Sequence, residues 1–303
     1  MATLMENTIA AVARTCPAYM GLTAGRHTRM MLACARRFLS QIAFFTVPLP
    51  DRQSGVDCSA ARGIARRFDL EYEPLTWKEP TSSDIQDWLY RTGTCVAGRT
   101  LRTVRTLRGL DPNRGILSGA LGAVGEAVWW HKGDLKGGYL SLRDLLARAG
   151  MPAMPELLIR AKKWLDELPT KNLYTILDFL HFEQRLGAWV GPQEYGHVSG
   201  RFIISPFCHR RIMQLKLTLP VQVRLRDRLP VELLRSRWPE LLQFPFNGNT
   251  TMKRALMASR RAGARVLALS RRMPISLDAH VSPVDLPIYG SPSRIGSTSV
   301  RPI

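Results

Sequence analysis

Gly21-Leu22-Thr23-Ala24-Gly25-Arg26-His27-Thr28-Arg29 is the stretch from which the fold is read. A short run of mainly small and apolar residues leads into Thr23, and from Arg26 onward apolar residues recur at helical spacing (Met30, Met31, Cys34, Ala35, Phe38). The segment therefore reads as strand, tight turn, helix. In open α/β sheets ligands gather at the carboxyl ends of strands, where a helix N-terminus offers unpaired amides to an anion. The residue types suit that use. Ala24 and Gly25 let the backbone approach a phosphate closely, and the hydroxyls of Thr23 and Thr28 can bond its oxygens.

On either side of this turn the pattern alternates. Residues 4–14 are amphipathic, 42–47 form an apolar run closed by Pro48 and Pro50, and 56–68 return to helical spacing. A strand over 70–77, helices within 82–90 and 97–108, a turn at Asp111-Pro112-Asn113 and a strand over 115–118 follow. Such alternation predicts an α/β fold, a parallel sheet with helices on both faces. Beyond residue 140 the spacing is helical over 140–149, 155–168, 173–189, 208–217 and 231–242, which predicts a helical subdomain. Residues 252–272 form a basic amphipathic stretch, and 273–303 are rich in Pro, Ser and Gly, a composition expected to be poorly ordered. The reading divides the chain into an α/β core over 1–135, a helical part over 136–247 and a basic tail over 248–303.

Composition narrows the function classes. Five cysteines, Cys16, Cys34, Cys58, Cys95 and Cys208, are scattered and never form a C-x-x-C pair, so neither a disulfide framework nor a zinc site is expected. With no long apolar run and no signal-peptide pattern at MATLMENT, the reading is a cytoplasmic protein without a membrane span. The net charge of +19 would favour polyanion partners, but only eight of the 43 basic residues are lysine and the arginines are spread along the chain. Nucleic acid is accordingly not the expected partner. No H-E-x-x-H or G-x-S-x-G pattern is present; Trp129-Trp130 is read as core, with a ligand-stacking role as the alternative, and His181-Phe182-Glu183 as a helix-packing segment.

The opening loop resembles the S-G-G-x-D-S pyrophosphate-binding loop of the ATP pyrophosphatase superfamily, with Thr23, Ala24, Gly25, His27 and Thr28 at its signature positions. Gly115-Ile116-Leu117-Ser118-Gly119-Ala120-Leu121-Gly122-Ala123-Val124-Gly125, expected as a strand opening into a helix, is similar to the S-G-x-G-x-D-E signature of asparagine synthetases. Phe182-Glu183-Gln184-Arg185, Ser205-Pro206-Phe207, residues 229–234 and residues 237–242 resemble later elements of the same family, so the likeness spans roughly residues 10 to 247. It implies an adenine nucleotide alpha-hydrolase-like fold that binds ATP and joins a carboxylate to an amine through an acyl-adenylate. In that picture Thr23, Ala24, Gly25, His27 and Thr28 cradle the phosphates, Ser118 and Gly119 border the cleft, and Val47 lies near the adenine.

Three departures qualify what the resemblance implies. The loop acid is His27, and the acidic pair of the second signature falls on Ala123 and Val124. Mg²⁺ wants carboxylate oxygens, so the sequence names no metal ligands and magnesium-assisted chemistry is in doubt. Glu126 stands one helical turn beyond Ala123, on the same face if a helix follows Gly119. His27 is read either as a hydrogen-bond donor to phosphate or as an exposed polar residue. Too few residues precede the loop for a glutamine-hydrolysing domain, so ammonia, an amine donor or a separate glutaminase would supply nitrogen. Three functions are thus carried forward: an asparagine synthetase-like carbon-nitrogen ligase, an inactive nucleotide-binding or scaffold protein, and non-specific nucleic-acid binding.

Overall fold

The computed structural model describes residues 1–93, 100–131, 134, 140–197 and 202–246, all of which belong to one compact unit. The start of the helix expected over 97–108 and the whole basic tail over 248–303 lie outside these residues. In chain order the elements are α1 (Ala2–Thr15), β1 (Ala18–Gly21), α2 (Arg26–Cys34), β2 (Ile42–Thr46), α3 (Arg52–Phe68), β3 (Tyr72–Pro74), α4 (Ser82–Thr92), α5 (Val104–Arg108) and β4 (Gly115–Leu117). Then come α6 (Leu142–Arg148), α7 (Pro155–Glu167) and α8 (Leu173–Leu180), a π-helix (His181–Val190), α9 (Gly191–Gly196), β5 (Ile203–Ile204), α10 (Arg210–Leu217), α11 (Val221–Leu225) and α12 (Arg228–Arg237).

The described strands form one parallel sheet in the order β3-β2-β1-β4-β5. Successive side chains alternate between its faces. Ala18, Met20, Ile42, Phe44 and Leu117 turn into the main core with Met5, Ile9 and Val12 of α1, Met30 and Met31 of α2, Ile64 of α3 and Leu234 of α12. Tyr19, Phe45, Ile116 and Ile203 turn the other way, against Leu107 of α5 and Leu110. Both faces are thus covered, as an all-parallel sheet requires. A separate apolar cluster of Trp130, Leu145, Leu146, Ala161, Ile176, Leu177 and Leu180 holds α6, α7 and α8 together.

Side-chain caps explain where four of the helices start. Asp51 caps α3 by accepting from the Ser54 amide, Thr81 with Asp84 and Ser141 with Asp144 form capping boxes on α4 and α6, and Asn172 caps α8.

Three expectations are corrected. No helix follows Gly119: residues 119–129 run as successive turns, in which Leu121, Gly125 and Ala127 adopt positive φ of 60°, 71° and 54° and so break helical propagation. The helix expected over 173–189 changes at His181 into a π-helix, whose i→i+5 bonding winds the backbone more widely. The region read as wholly helical also contributes β5 to the sheet edge, where the Ile116 amide donates to Phe202 O at 3.0 Å and the Ser118 amide to Ile204 O at 2.9 Å.

Candidate functional site

The strand order reverses at β1. The chain steps outward through β2 and β3 on one side and reappears as β4 and then β5 on the other. The turns leaving β1 and β4 therefore diverge from adjacent strands, and the opening between them is where this class of sheet binds ligands. Both segments singled out in the sequence meet there. A Cβ added at Gly119 would lie 3.6 Å from His27 Cβ and 3.8 Å from Thr28 Cγ2, and one at Gly122 would stand 2.5 Å from the His27 ring.

The loop after β1 is tied into itself. Thr28 Oγ1 donates to Gly25 O at 3.1 Å, Thr23 Oγ1 lies 3.0 Å from Thr28 Oγ1, and the Gly25 amide donates to Thr23 Oγ1 at 2.9 Å. The Ala24 amide donates to Asp57 Oδ1 of α3 at 3.0 Å. Arg29, fully buried one turn into α2, donates to Ala24 O at 3.3 Å and to Phe244 O at 2.7 Å, binding the loop to the chain's 241–246 segment. Burial lowers its pKa to about 10, with Asp57 opposing.

A second carboxylate arrives from the turns after β4. Glu126, whose side chain is 4% exposed, meets three basic side chains: His27 Nε2 at 2.9 Å, Arg26 Nη2 at 3.0 Å and Lys216 Nζ of α10 at 3.2 Å. Lys216, 1% exposed, also donates to Gly122 O, while Arg26 pairs through its other nitrogen with Asp227. Burial alone would push the Glu126 carboxyl up, but His27, Lys216 and Arg26 outweigh it and hold it down at about 2. Burial lowers the Lys216 pKa, against the opposing pull of Glu126. Arg26 and His27 stand at the N-terminal end of α2, where the helix dipole already favours an anion, and Glu126 is that anion.

The predicted site residues are thus partly assembled. Thr23, Ala24, Gly25 and Thr28 form the closed loop, and Gly119 packs on it. His27 is corrected: its side chain is half-buried and bonded to Glu126, and the ring faces Phe207 edge-on at 5.6 Å. Ser118 accepts from the Ala120 amide at 3.2 Å and stabilises its own turn. Val47 packs with Phe45, Leu110 and Ile116 in the apolar cluster of the sheet's second face. The sequence reading missed Asp57, Arg29, Lys216 and Asp227. Only Lys216 left a signal, a charge four residues after Ile212 on the buried stripe of α10.

Two ligands implied by the resemblance can be tested against these residues. Mg²⁺ does not fit: His27 stands at the loop-acid position, and the Glu126 carboxylate is already engaged by Arg26, His27 and Lys216. A polyphosphate fits poorly as well, because Asp57 and Thr23 already satisfy the Ala24 and Gly25 amides and the Asp57 carboxylate would confront it. Among the described residues the fold is α/β with a five-stranded, all-parallel sheet, and at its switch point Glu126 pairs with Arg26, His27 and Lys216. Comparison with family models and with curated proteins finds no match. Among the described residues no helix is long and apolar enough to cross a membrane.

Proposed function

We propose that this chain is a catalytically silent relative of the asparagine-synthetase type, a binding or scaffold protein that keeps the nucleotide-binding fold while its own carboxylates fill the anion positions. The observation that carries this reading is Glu126, locked between Arg26, His27 and Lys216 at the start of α2. The resemblance supplies the ancestry: a small-residue loop after β1, facing the turn after β4. The departures supply the loss, since the acids of the ligase signatures are His27, Ala123 and Val124. Asp57 on the Ala24 amide and Glu126 on the cations together neutralise what a phosphate chain would have neutralised. A nucleotide must break both sets of contacts to enter.

Calorimetric titration with ATP, with and without Mg²⁺, and an assay of pyrophosphate release test the proposal. Neither saturable nucleotide heat nor Mg²⁺-dependent pyrophosphate is expected. Either one from the unmodified chain overturns the silent reading in favour of a working ligase.

A further inference from the structure

Behind the Glu126 turn, between α8, the π-helix and α10, lies a cavity of about 390 Å³ lined by none of the residues assigned to the nucleotide. Its size is that of a small-molecule site. Its walls are apolar, from Phe179, Phe182, Met213 and Leu217, and two of these, Phe182 and Leu217, are 40% and 39% exposed at the opening. Large apolar side chains left facing water around a concave site are a mark of ligand binding rather than of core. The π-helix begins at His181 on this wall, and such segments are frequent at functional sites.

The polar groups decide what would bind. Asp178 and Arg224 line the cavity as a pair: Arg224 donates to the Asp178 carboxylate and, through Nε, to Gly125 O at 2.9 Å, so the two charges cancel. His181 is buried, and burial, with the positive charge of Arg185, lowers its pKa to about 4, so the imidazole is neutral near pH 7. Arg210 remains, exposed at the rim, and among the described residues it makes no ion pair. The lining therefore carries one net positive charge over an apolar interior.

We propose that this cavity binds a small organic monocarboxylate with an apolar or aromatic body, its ring or chain among Phe179, Phe182, Met213 and Leu217, its carboxylate against Arg210, and His181 as a hydrogen-bonding group. The site is independent of whether ATP binds at the β1 turn, so its test does not stand or fall with the silent reading.

3-Phenylpropionate and its primary amide, titrated separately into the full chain by calorimetry, test the proposal. The acid should bind saturably and about tenfold more tightly than the amide, the size expected of one charge-assisted contact. Arg210→Gln, a surface change that leaves the fold intact, should erase that difference, and Met213→Trp should fill the cavity and abolish binding of both ligands. ATP at millimolar concentration should not compete. Equal affinity for acid and amide, an Arg210→Gln variant that still prefers the acid, or no saturable binding of the acid overturns the proposal; if Met213→Trp does not fold, the Arg210→Gln comparison decides alone.

Discussion

A carboxylate as buried as that of Glu126 stays ionised only because Arg26, Lys216 and the His27 ring nitrogen surround it, and they in turn depend on it. Removing its charge by Glu126→Gln leaves Lys216 buried without an anion, the situation in which breaking an ion pair is most damaging. We expect a loss of about 3–5 kcal/mol in urea unfolding. Lys216→Met should cost less, because Glu126 keeps Arg26 and His27. The Glu126 pKa lies below its unfolded value of 4.5, so its contribution is present above pH 4.5 and is lost as pH falls through about 2. The buried His181 and His197 are both lowered to about 4 from 6.5; their contribution is complete above pH 6.5 and fades as pH falls through 4. Stability should therefore decline in two stages on acidification, read from denaturation midpoints, with the lower stage reduced in Glu126→Gln. A single transition confined below pH 4 would contradict the histidine assignment.

The turns after β4 owe their shape to left-handed residues. Gly125 has φ of 71°, and a Cβ there would stand 2.9 Å from the Lys216 carbonyl, so Gly125→Ala must separate α10 from the Glu126 turn. A thermal melt should show destabilisation of about 1–3 kcal/mol. Ala127, at φ 54°, pays the steric penalty that glycine would avoid, and Ala127→Gly should stabilise by up to about 1 kcal/mol. The two substitutions act in opposite directions two residues apart, which separates backbone strain from simple loss of packing. These elements also mark where the sequence was legible. Strands β1, β2 and β4 and helices α1 to α3 carry periodicity or apolar runs that reflect burial directly. The turns at 119–129 do not, because Leu121 and Ala127 are helix formers held left-handed by tertiary contacts rather than by their own preference. The strand β5 is two residues long, too short to leave an alternating signal, and the π-helix keeps an apolar pattern close to that of the α-helix it extends.

At the scale of the molecule, the strand order is what brings two distant segments together. The α/β class could be read from alternation, but the order β3-β2-β1-β4-β5, and with it the meeting of the 23–28 loop and the 118–126 turns, depends on which strands pair. The resemblance, rather than periodicity or residue size, set Ser118 and Gly119 across from the 23–28 loop; a Cβ at Gly119 would lie 3.6 Å from His27 Cβ and 3.8 Å from Thr28 Cγ2. The closing residues Asp57, Lys216 and Asp227 come from helices and turns remote in sequence; nothing local announces Asp57 or Asp227, and Lys216 shows only as a charge on the buried stripe of α10. The charge of +19 belongs to this scale too. If it made the chain a non-specific nucleic-acid binder, affinity for duplex DNA would fall steeply as salt is raised from about 50 to 200 mM. We expect instead weak binding at low salt and none at physiological salt, measured by fluorescence anisotropy.

If the chain's own carboxylates hold the phosphate positions at the switch point, calorimetric titration of the unmodified protein with ATP and Mg²⁺ should give no saturable heat; a stoichiometric binding isotherm would contradict this.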